Sequence, residues 1–466
     1  MKKLLTIIFS LATLVTLLSC DNVSFGKDSS SSSEGPTICP NETPTGYILK
    51  AANPANEIPY NKFKEEGFIE FLNKIDSFAA KLSAKIYHFK EEYKNMNYTV
   101  SPLSVYMALA MAIDCSNNVT RQEMLSAVGV TYEEVVTYTT YLYSLRNKEY
   151  KYEEENGEMK VSAFEMLKNS IWINEYYLDA IKQEGVESLA NAYHSDTYKA
   201  PFTANNELSN KLLTDYVKEN TKGLIDSDFN VPTELIFALV NTYYLKEIWE
   251  ENIDELPFTK DLYNFINSDA SIKETKLLEG RYVYGKVYEE EKFTHFYTTT
   301  QHGYKLKFIL PNDGISVHEI FNEDTLKKVN NIEDYNSYDQ INKEMHLTRT
   351  FFPKFEAEYD DDIKNVLLNE FNIKSLFGVE SICDFSNILQ DVDVYCSSVI
   401  HKTKLKVDEV GIEGAAVTVM MMCESAAPNE DPIKYVYHDY IIDSSFGFIL
   451  TDNNDITLFS GVVNKI

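Results

Sequence analysis

The chain is short of positive charge. Lys and Arg number 43 against 72 Asp and Glu, a formal net charge of −29, and no basic cluster offsets the excess. A surface this negative repels phosphate backbones and anionic membrane surfaces, so nucleic acid is excluded as a partner. Cysteine is also scarce: six in 466 residues, none in a CxxC pair, which excludes a disulfide scaffold. The eight histidines are scattered, and His318-Glu319 lacks the second histidine of HExxH, so no metal site is expected. Beyond residue 18 no apolar run approaches eighteen residues, which excludes a spanning helix in the body.

Catalytic motifs are missing too. Gly280-Arg-Tyr-Val-Tyr-Gly285-Lys286 comes close to a phosphate-binding loop, but Val287 stands where a metal-binding Ser or Thr belongs. Its intervening residues are bulky and strand-like, whereas a phosphate loop needs small residues so that N–H groups converge on the anion. There is no GxSxG elbow and no cysteine in a nucleophile's context. Asp360-Asp361-Asp362 is expected to open a helix over 361–372, where negative charge suits the first turn. The sequence offers no enzyme, and no cofactor is expected.

What is present begins with Lys2 and Lys3, an apolar run from Leu4 to Leu18, and Leu17-Leu18-Ser19-Cys20. Residues 1–19 read as a signal peptide whose cut before a cysteine follows the pattern of a bacterial lipoprotein, with acyl chains on Cys20 as a stable anchor. A plain secretory signal with an incidental Cys20 is the alternative. Residues 20–63, with Ser29 to Ser33 unbroken and Gly26, Gly35, Pro36, Pro40, Pro44, Pro54 and Pro59 around them, read as a flexible Ser/Pro-rich tether. An anchor, a leash and a body place the protein outside the cytoplasm, at the cell surface or in the periplasm, attached to the membrane through lipid alone. Five cysteines remain, Cys39, Cys115, Cys383, Cys396 and Cys423; one pair can bridge, and the sequence does not say which.

From residue 64 the pattern is helical, with Phe68, Phe71, Leu72, Ile75, Phe78, Ala79, Leu82 and Ile86 at 3- and 4-residue spacings. Ser101-Pro102 caps a second helix, and 207–220 is a third, closed by Gly223. Ile236 to Leu245 reads as a fully buried strand, with further strands at Tyr304 to Leu310 and Ile456 to Val463. Helices lead and strands follow, which predicts an α+β fold.

Five segments carry a family resemblance. They are Asn97-Tyr-Thr-Val-Ser-Pro-Leu-Ser104 with Thr120-Arg-Gln-Glu-Met; Asn241-Thr-Tyr-Tyr-Leu-Lys246 with Trp249; Phe352-Pro-Lys-Phe355 with Tyr359 and Phe371 to Phe377; His401-Lys402 with Val407-Asp-Glu-Val-Gly411; and Phe459-Ser-Gly461-Val-Val-Asn464. In that order they resemble the serpins across residues 64–466. Departures are Glu247 where the family usually has glycine, Ser445 where proline is common, and Ile412 where Thr, Ser or Val is usual. The resemblance implies a single domain of three β-sheets and eight or nine helices with an exposed reactive loop, about 409–439. It implies a monomer that forms a covalent complex with a target serine or cysteine protease. The loop is cut as a substrate and enters the central sheet as a strand, carrying the acyl-linked protease with it. Ser101, Ser104, Asn241, Trp249 and His401 would belong to the central sheet and the shutter beneath it.

The loop itself can be read for insertion. Strand side chains alternate faces, so Ile412, Gly414, Ala416, Thr418, Met420 and Met422 share one face, which the resemblance turns inward. Glu413, Ala415, Val417 and Val419 share the other. Glu409, Gly411, Ile412, Glu413, Gly414, Ala415, Ala416 and Thr418 would form the hinge, free of proline and with no charge on the inner face. Family spacing from Glu409 sets the cut at Ser425-Ala426, although the loop is longer than usual and the bond can shift toward Ala427 or beyond. No Lys or Arg lies between Glu409 and Lys434, so an elastase-like target is expected, with a papain-like one, reading Glu424, as the alternative. A non-inhibitory binding protein on the same scaffold is the competing reading.

Overall fold

The 3- and 4-residue spacing after residue 64 builds a long amphipathic helix, α1 (Glu66–Phe89), whose Phe71, Leu82, Ile86 and Tyr87 are fully buried. In the computed structural model the described residues are 47–54, 58–153, 159–249, 255–285, 287–332, 337–339, 341–414 and 434–466. All of them lie within the compact unit Pro44–Ile466. The signal peptide, Cys20, most of the tether, Cys39, Cys423 and loop residues 415–433 lie outside the described residues.

In chain order, β1 (Ile48–Lys50) precedes α1. Then come β2 (Tyr98–Val100), α2 (Pro102–Cys115), α3 (Asn118–Val128), α4 (Tyr132–Ser144), β3 (Lys148–Glu153) and β4 (Met159–Asn174). Next are α5 (Gln183–Ala192), β5 (Ser195–Ala200), α6 (Asn206–Asn220), β6 (Phe237–Ile248), β7 (Tyr263–Ile266), β8 (Ile272–Thr275) and β9 (Leu278–Tyr284). They are followed by β10 (Tyr288–Glu289), β11 (Phe293–Thr299), β12 (Lys305–Pro311), α7 (Val317–Ile320), α8 (Glu323–Asn330), β13 (Tyr338–Asp339) and β14 (Glu344–Phe352). The chain closes with β15 (Phe355–Asp362), α9 (Lys364–Glu370), β16 (Ile400–Val407), β17 (Gly411–Gly414), β18 (Lys434–Ile441), β19 (Phe446–Thr451) and β20 (Thr457–Val463).

These strands form three sheets among the described residues, an α+β arrangement in line with the fold expected. The largest runs β1-β5-β4-β6-β17-β16-β15-β2-β20-β19-β12-β11-β10, with β3 on β4. Its two halves meet at β2, which pairs with β20 over three residues and with β15 at Tyr98 alone. The second sheet is β13-β14-β18, with β9 also on β14, and β7-β8 is the third. The main core lies under the large sheet, where α1 and α2 meet Leu167, Leu245, Phe308 and Leu458. A smaller core sits under α6, with Trp172, Tyr198, Leu212 and Tyr216 packed against Ala238 and Val240 of β6.

Three expectations need correction. Asp360, Asp361 and Asp362 end β15 rather than open a helix, because β15 pairs with β16 through to Asp362 and the helix starts only at Lys364. Part of the tether belongs to the body: Ile48 and Lys50 pair with Tyr198 and Thr197, Lys50 meets Glu187 at 3.2 Å, and Tyr60–Lys64 is a 3-10 turn. Phe237 to Asn241 are half-buried rather than fully buried. The strand-like reading of the Gly280 segment holds: Gly280 lies in β9, where an added Cβ would come within 2.7 Å of the Thr350 carbonyl, so the glycine answers a close strand approach.

One buried charge cluster ties the halves together. Arg146, just after α4, donates to Glu165 of β4 at 2.9 Å and to Asp452, after β19, at 2.6 Å. The Tyr243 hydroxyl of β6 donates to the same Glu165 oxygen at 2.8 Å. Burial pushes the Glu165 carboxyl upward, with Arg146 opposing it. Arg146→Met leaves two carboxylates uncompensated and should cost about 3–5 kcal/mol in urea unfolding, while the Arg146→Met/Glu165→Leu pair should recover part of that loss. A single variant as stable as wild type would contradict the assignment.

Candidate functional site

After β16 the chain reverses through Asp408–Val410 and returns as β17, antiparallel to both neighbours. Ile412 pairs with Glu247 of β6 and Val407 of β16, and Glu413 with Lys246 and Lys406. The turn is held from several sides. The Trp249 indole donates to the Asp408 carbonyl at 2.6 Å, and its backbone N–H reaches the Val410 carbonyl at 3.2 Å. Asp408 accepts the N–H groups of Val410 and Gly411, and Lys354 meets Glu409 at 3.0 Å. The Asp408 carboxyl is shifted by two opposing effects: burial raises it, but Lys406 and those N–H groups bring it below the ordinary range. Gly411 is constrained by space, since an added Cβ would lie 1.8 Å from the Glu247 carbonyl oxygen.

Within β17, Ile412 is buried, and Glu413 is half-buried with the Tyr244 hydroxyl donating to it at 2.6 Å. Past Gly414 the neighbouring strands run on, parallel to each other. Their facing edges, Phe237–Tyr244 of β6 and Ile400–Leu405 of β16, have no ladder partner across the gap among the described residues. Their other edges are filled by β4 and β15. Leu245, Tyr243, Leu405, Thr403 and His401 are buried beside this gap, and Asn241 is half-buried. The Asn241 amide donates to Asn169 at 2.8 Å, while its buried Oδ1 has no partner among the described residues.

Beneath the gap, Ser101 caps α2 by accepting the Ser104 N–H at 3.4 Å, and its own N–H donates to His401 Nε2 at 3.2 Å. The sequence therefore named Ser101, Ser104, Asn241, Trp249, His401, Glu409, Gly411, Ile412, Glu413 and Gly414 around one feature. Ala415, Ala416, Thr418, Ser425 and Ala426 lie outside the described residues. Sequence reasoning marked Glu247 only as a departure. Its buried carboxylate accepts the Thr300 hydroxyl at 2.6 Å and bonds His302 Nδ1 at 2.6 Å, from 53 and 55 residues away. No local signal could have found that set. Nor did the sequence bring together His346 and His438, whose ring nitrogens stand 2.8 Å apart on β14 and β18.

Burial pushes the His401 imidazole down to about 4, so its Nε2 stays a lone-pair acceptor for Ser101. The unfolded chain takes that proton near 6.5 and the folded chain only near 4. Stability from this site is full above about pH 6.5 and is lost as pH falls toward 4, by up to roughly 3 kcal/mol. Asp76, raised by burial to about 6, works in the opposite sense: its contribution is present below about pH 3.8 and lost as pH rises through 6. The two are separated by comparison, with His401→Gln expected to flatten the fall in urea midpoint between pH 6.5 and 4.5. Equal slopes in wild type and variant would contradict it.

A family model described as "Serpin (serine protease inhibitor)" matches residues 73–466. Iripin-1 of Ixodes ricinus is 25% identical over 386 residues, covering 79% of this chain and 89% of that protein. Alpha-1-antiproteinase of Rattus norvegicus is 23% identical over 389 residues, covering 80% and 86%. Among solved structures, the native state of the thermophilic serpin Tengpin superposes with a TM-score of 0.62 at 24% identity, covering 90% of this chain and 99% of that one.

Proposed function

The chain belongs to the serpin family, whose members are generally protease inhibitors, and we propose that it is an extracytoplasmic suicide-substrate inhibitor of elastase-like serine proteases. The observation that carries this reading is the gap between β6 and β16, with β17 already seated at one end of it. Continuing the β17 register sets Ala416 beside Tyr243 and Thr403, Thr418 beside Asn241 and His401, and Val419 beside Val240 and Ile400. Alternation puts Ala416, Thr418 and Met420 on the face of buried Ile412. These side chains are uncharged, so they can enter the core without stranding an ion.

The protease serine attacks the Ser425 carbonyl carbon, the Ser425–Ala426 bond breaks, and the amine leaves on Ala426. The acyl ester stays on Ser425 while the freed strand enters the gap, adding ladder bonds on both edges at about 1 kcal/mol each. A cysteine protease would follow the same course through a thioester. The absence of Lys and Arg from 410–433 disfavours trypsin-like pockets, and the small Ser425 suits an elastase-like one. The signal and Cys20 support a lipid-anchored location at the cell surface or in the periplasm.

Arg at 416 would have to bury its charge beside Tyr243, next to Arg146. Ala416→Arg should therefore be cut at the wild-type bond, release active protease, form no adduct that survives a denaturing gel, and show no rise in Tm on cleavage. Val417→Arg, on the other face, should be much milder. Equal inhibition by both would sink the insertion reading, and cleavage of wild type without any adduct would favour a non-inhibitory binding protein. For location, Cys20→Ser should move the protein from membranes to the soluble fraction; a variant still membrane-bound would refute the acyl anchor.

A further inference from the structure

Strands β9, β14 and β18 lie side by side, and one face of them packs on the core. Val283, Thr348 and Thr350 are buried there, and the Tyr440 ring stacks on Phe296 at 5.4 Å. A sheet covered on one side ordinarily turns polar side chains to water on the other. Here the outward positions are aromatic and aliphatic instead. Register sets Tyr284 of β9, Leu347 of β14 and Tyr437 of β18 in one row, and Tyr282, Arg349 and Asp439 in the next. Tyr284 and Tyr437 are 52% and 59% exposed, and exposed Tyr435 extends this surface at the end of β18 that follows the reactive loop. The Tyr282 and Tyr437 rings meet edge to face at 5.2 Å, over β14.

The ions within this surface are spent on one another. Arg349 meets Asp439 at 3.0 Å and Glu279 at 3.2 Å, with its guanidinium 4.9 Å from the Tyr282 ring centroid. A partner seated here covers a neutralised set rather than a lone charge, which lowers the cost of excluding water. Contiguous exposed apolar surface marks an interaction site, and tyrosine with arginine is the composition of interface centres. Place decides the occupant. Lys434, the first residue of β18, comes eight residues after Ala426, which is at most about 29 Å of extended chain. A protease domain of about 200 residues has a radius of gyration of about 16 Å, hence a width of roughly 40 Å. A body that wide, closed on a bond so near, reaches past the start of β18.

We propose that the outward face of β9, β14 and β18 is a docking surface for the protease held at the reactive bond, and that it takes an uncharged, aromatic or aliphatic rim beside that protease's substrate cleft. This role rests on the inhibitory reading above. The net charge of −29 steers a basic protease toward the whole molecule, whereas this surface governs how long the encounter lasts. Its contribution therefore persists when salt screens the charges.

Pancreatic elastase whose catalytic serine is replaced by alanine cannot cut the loop, so its binding to the full chain reads docking apart from insertion. Calorimetric binding should weaken about tenfold in Tyr284→Ser/Tyr437→Ser, by the same factor at low salt and at about 0.5 M. Tyr435→Lys, which puts a charge on the same face, should weaken it too. Tyr176→Ser, at an exposed tyrosine outside this sheet, should bind as wild type. The bound protease should slow amide exchange across Leu278–Tyr284 and Lys434–Ile441. With active elastase the double variant should inhibit about tenfold more slowly yet yield as much adduct per chain cleaved, because insertion does not use these side chains. Each variant is first checked for wild-type Tm. A wild type that forms no adduct would sink the inhibitory reading, while docking is still read with the inactive enzyme. Equal binding by wild type and the folded variants, protection confined to other strands, or a wild-type dimer that the double variant dissociates would each overturn the docking surface.

Discussion

Two parallel strand edges govern this molecule. Phe237–Tyr244 and Ile400–Leu405 carry backbone donors and acceptors that face one another with no ladder between them among the described residues. A buried backbone group without a partner costs about 1–3 kcal/mol, so such edges draw a strand toward them. The strand that fits runs antiparallel to both, which is the direction β17 has already taken. Surrounding contacts hold the edges at this spacing. Below lie α2 and the Ser101–His401 bond; above lie α6 and the segment after it, where Lys402 reaches Ser227 and Asp228 while also meeting Asp360 of β15.

The closed end of the gap is the most heavily determined part. Trp249, Lys354, Asp408 and Glu409 fix the turn, while Gly411 lets β17 approach β6 closely. Glu247 adds a buried carboxylate beside Ile412. It is tolerated because Thr300 and His302 satisfy it and Tyr150 stacks on His302 at 4.1 Å. That set braces β6 against the turn after β11 at the level of Ile412.

Much of this was legible from sequence because the segments that build the gap carry recognisable local signatures: a capped helix at Ser101-Pro102, the run Asn241 to Trp249, and Val407 to Gly411. What was misread depended on distant pairing. Asp360-Asp361-Asp362 looks like a helix start when read alone, yet Phe355 to Asp360 alternates apolar and acidic residues, and Lys402, Lys404 and Lys406 alternate in the same way. Those two patterns are the facing strands, with Asp360 opposite Lys402, Glu358 opposite Lys404 and Glu356 opposite Lys406. Period-two alternation was the available signal, and the charge run masked it. For Ile48–Lys50, and for the meeting of His346 with His438, no local pattern exists; antiparallel pairing with β5 places the first, and parallel pairing of β14 with β18 the second.

The position of β2 in the large sheet sets an order of events during synthesis. Tyr98–Val100 is made long before its partner in β20; the Thr99 hydroxyl donates to the Ser460 carbonyl across 361 residues of chain. Arg146 likewise waits for Asp452, 306 residues on. A growing chain must therefore carry β2 and the strands made after it with this seam open until β20 is made. Contacts of such span slow folding and leave strand edges uncovered in the meantime. The state that keeps the gap is thus reached by a chain whose joining strand is made long after its partner, and loss of β20 would remove the seam between the two halves of the sheet.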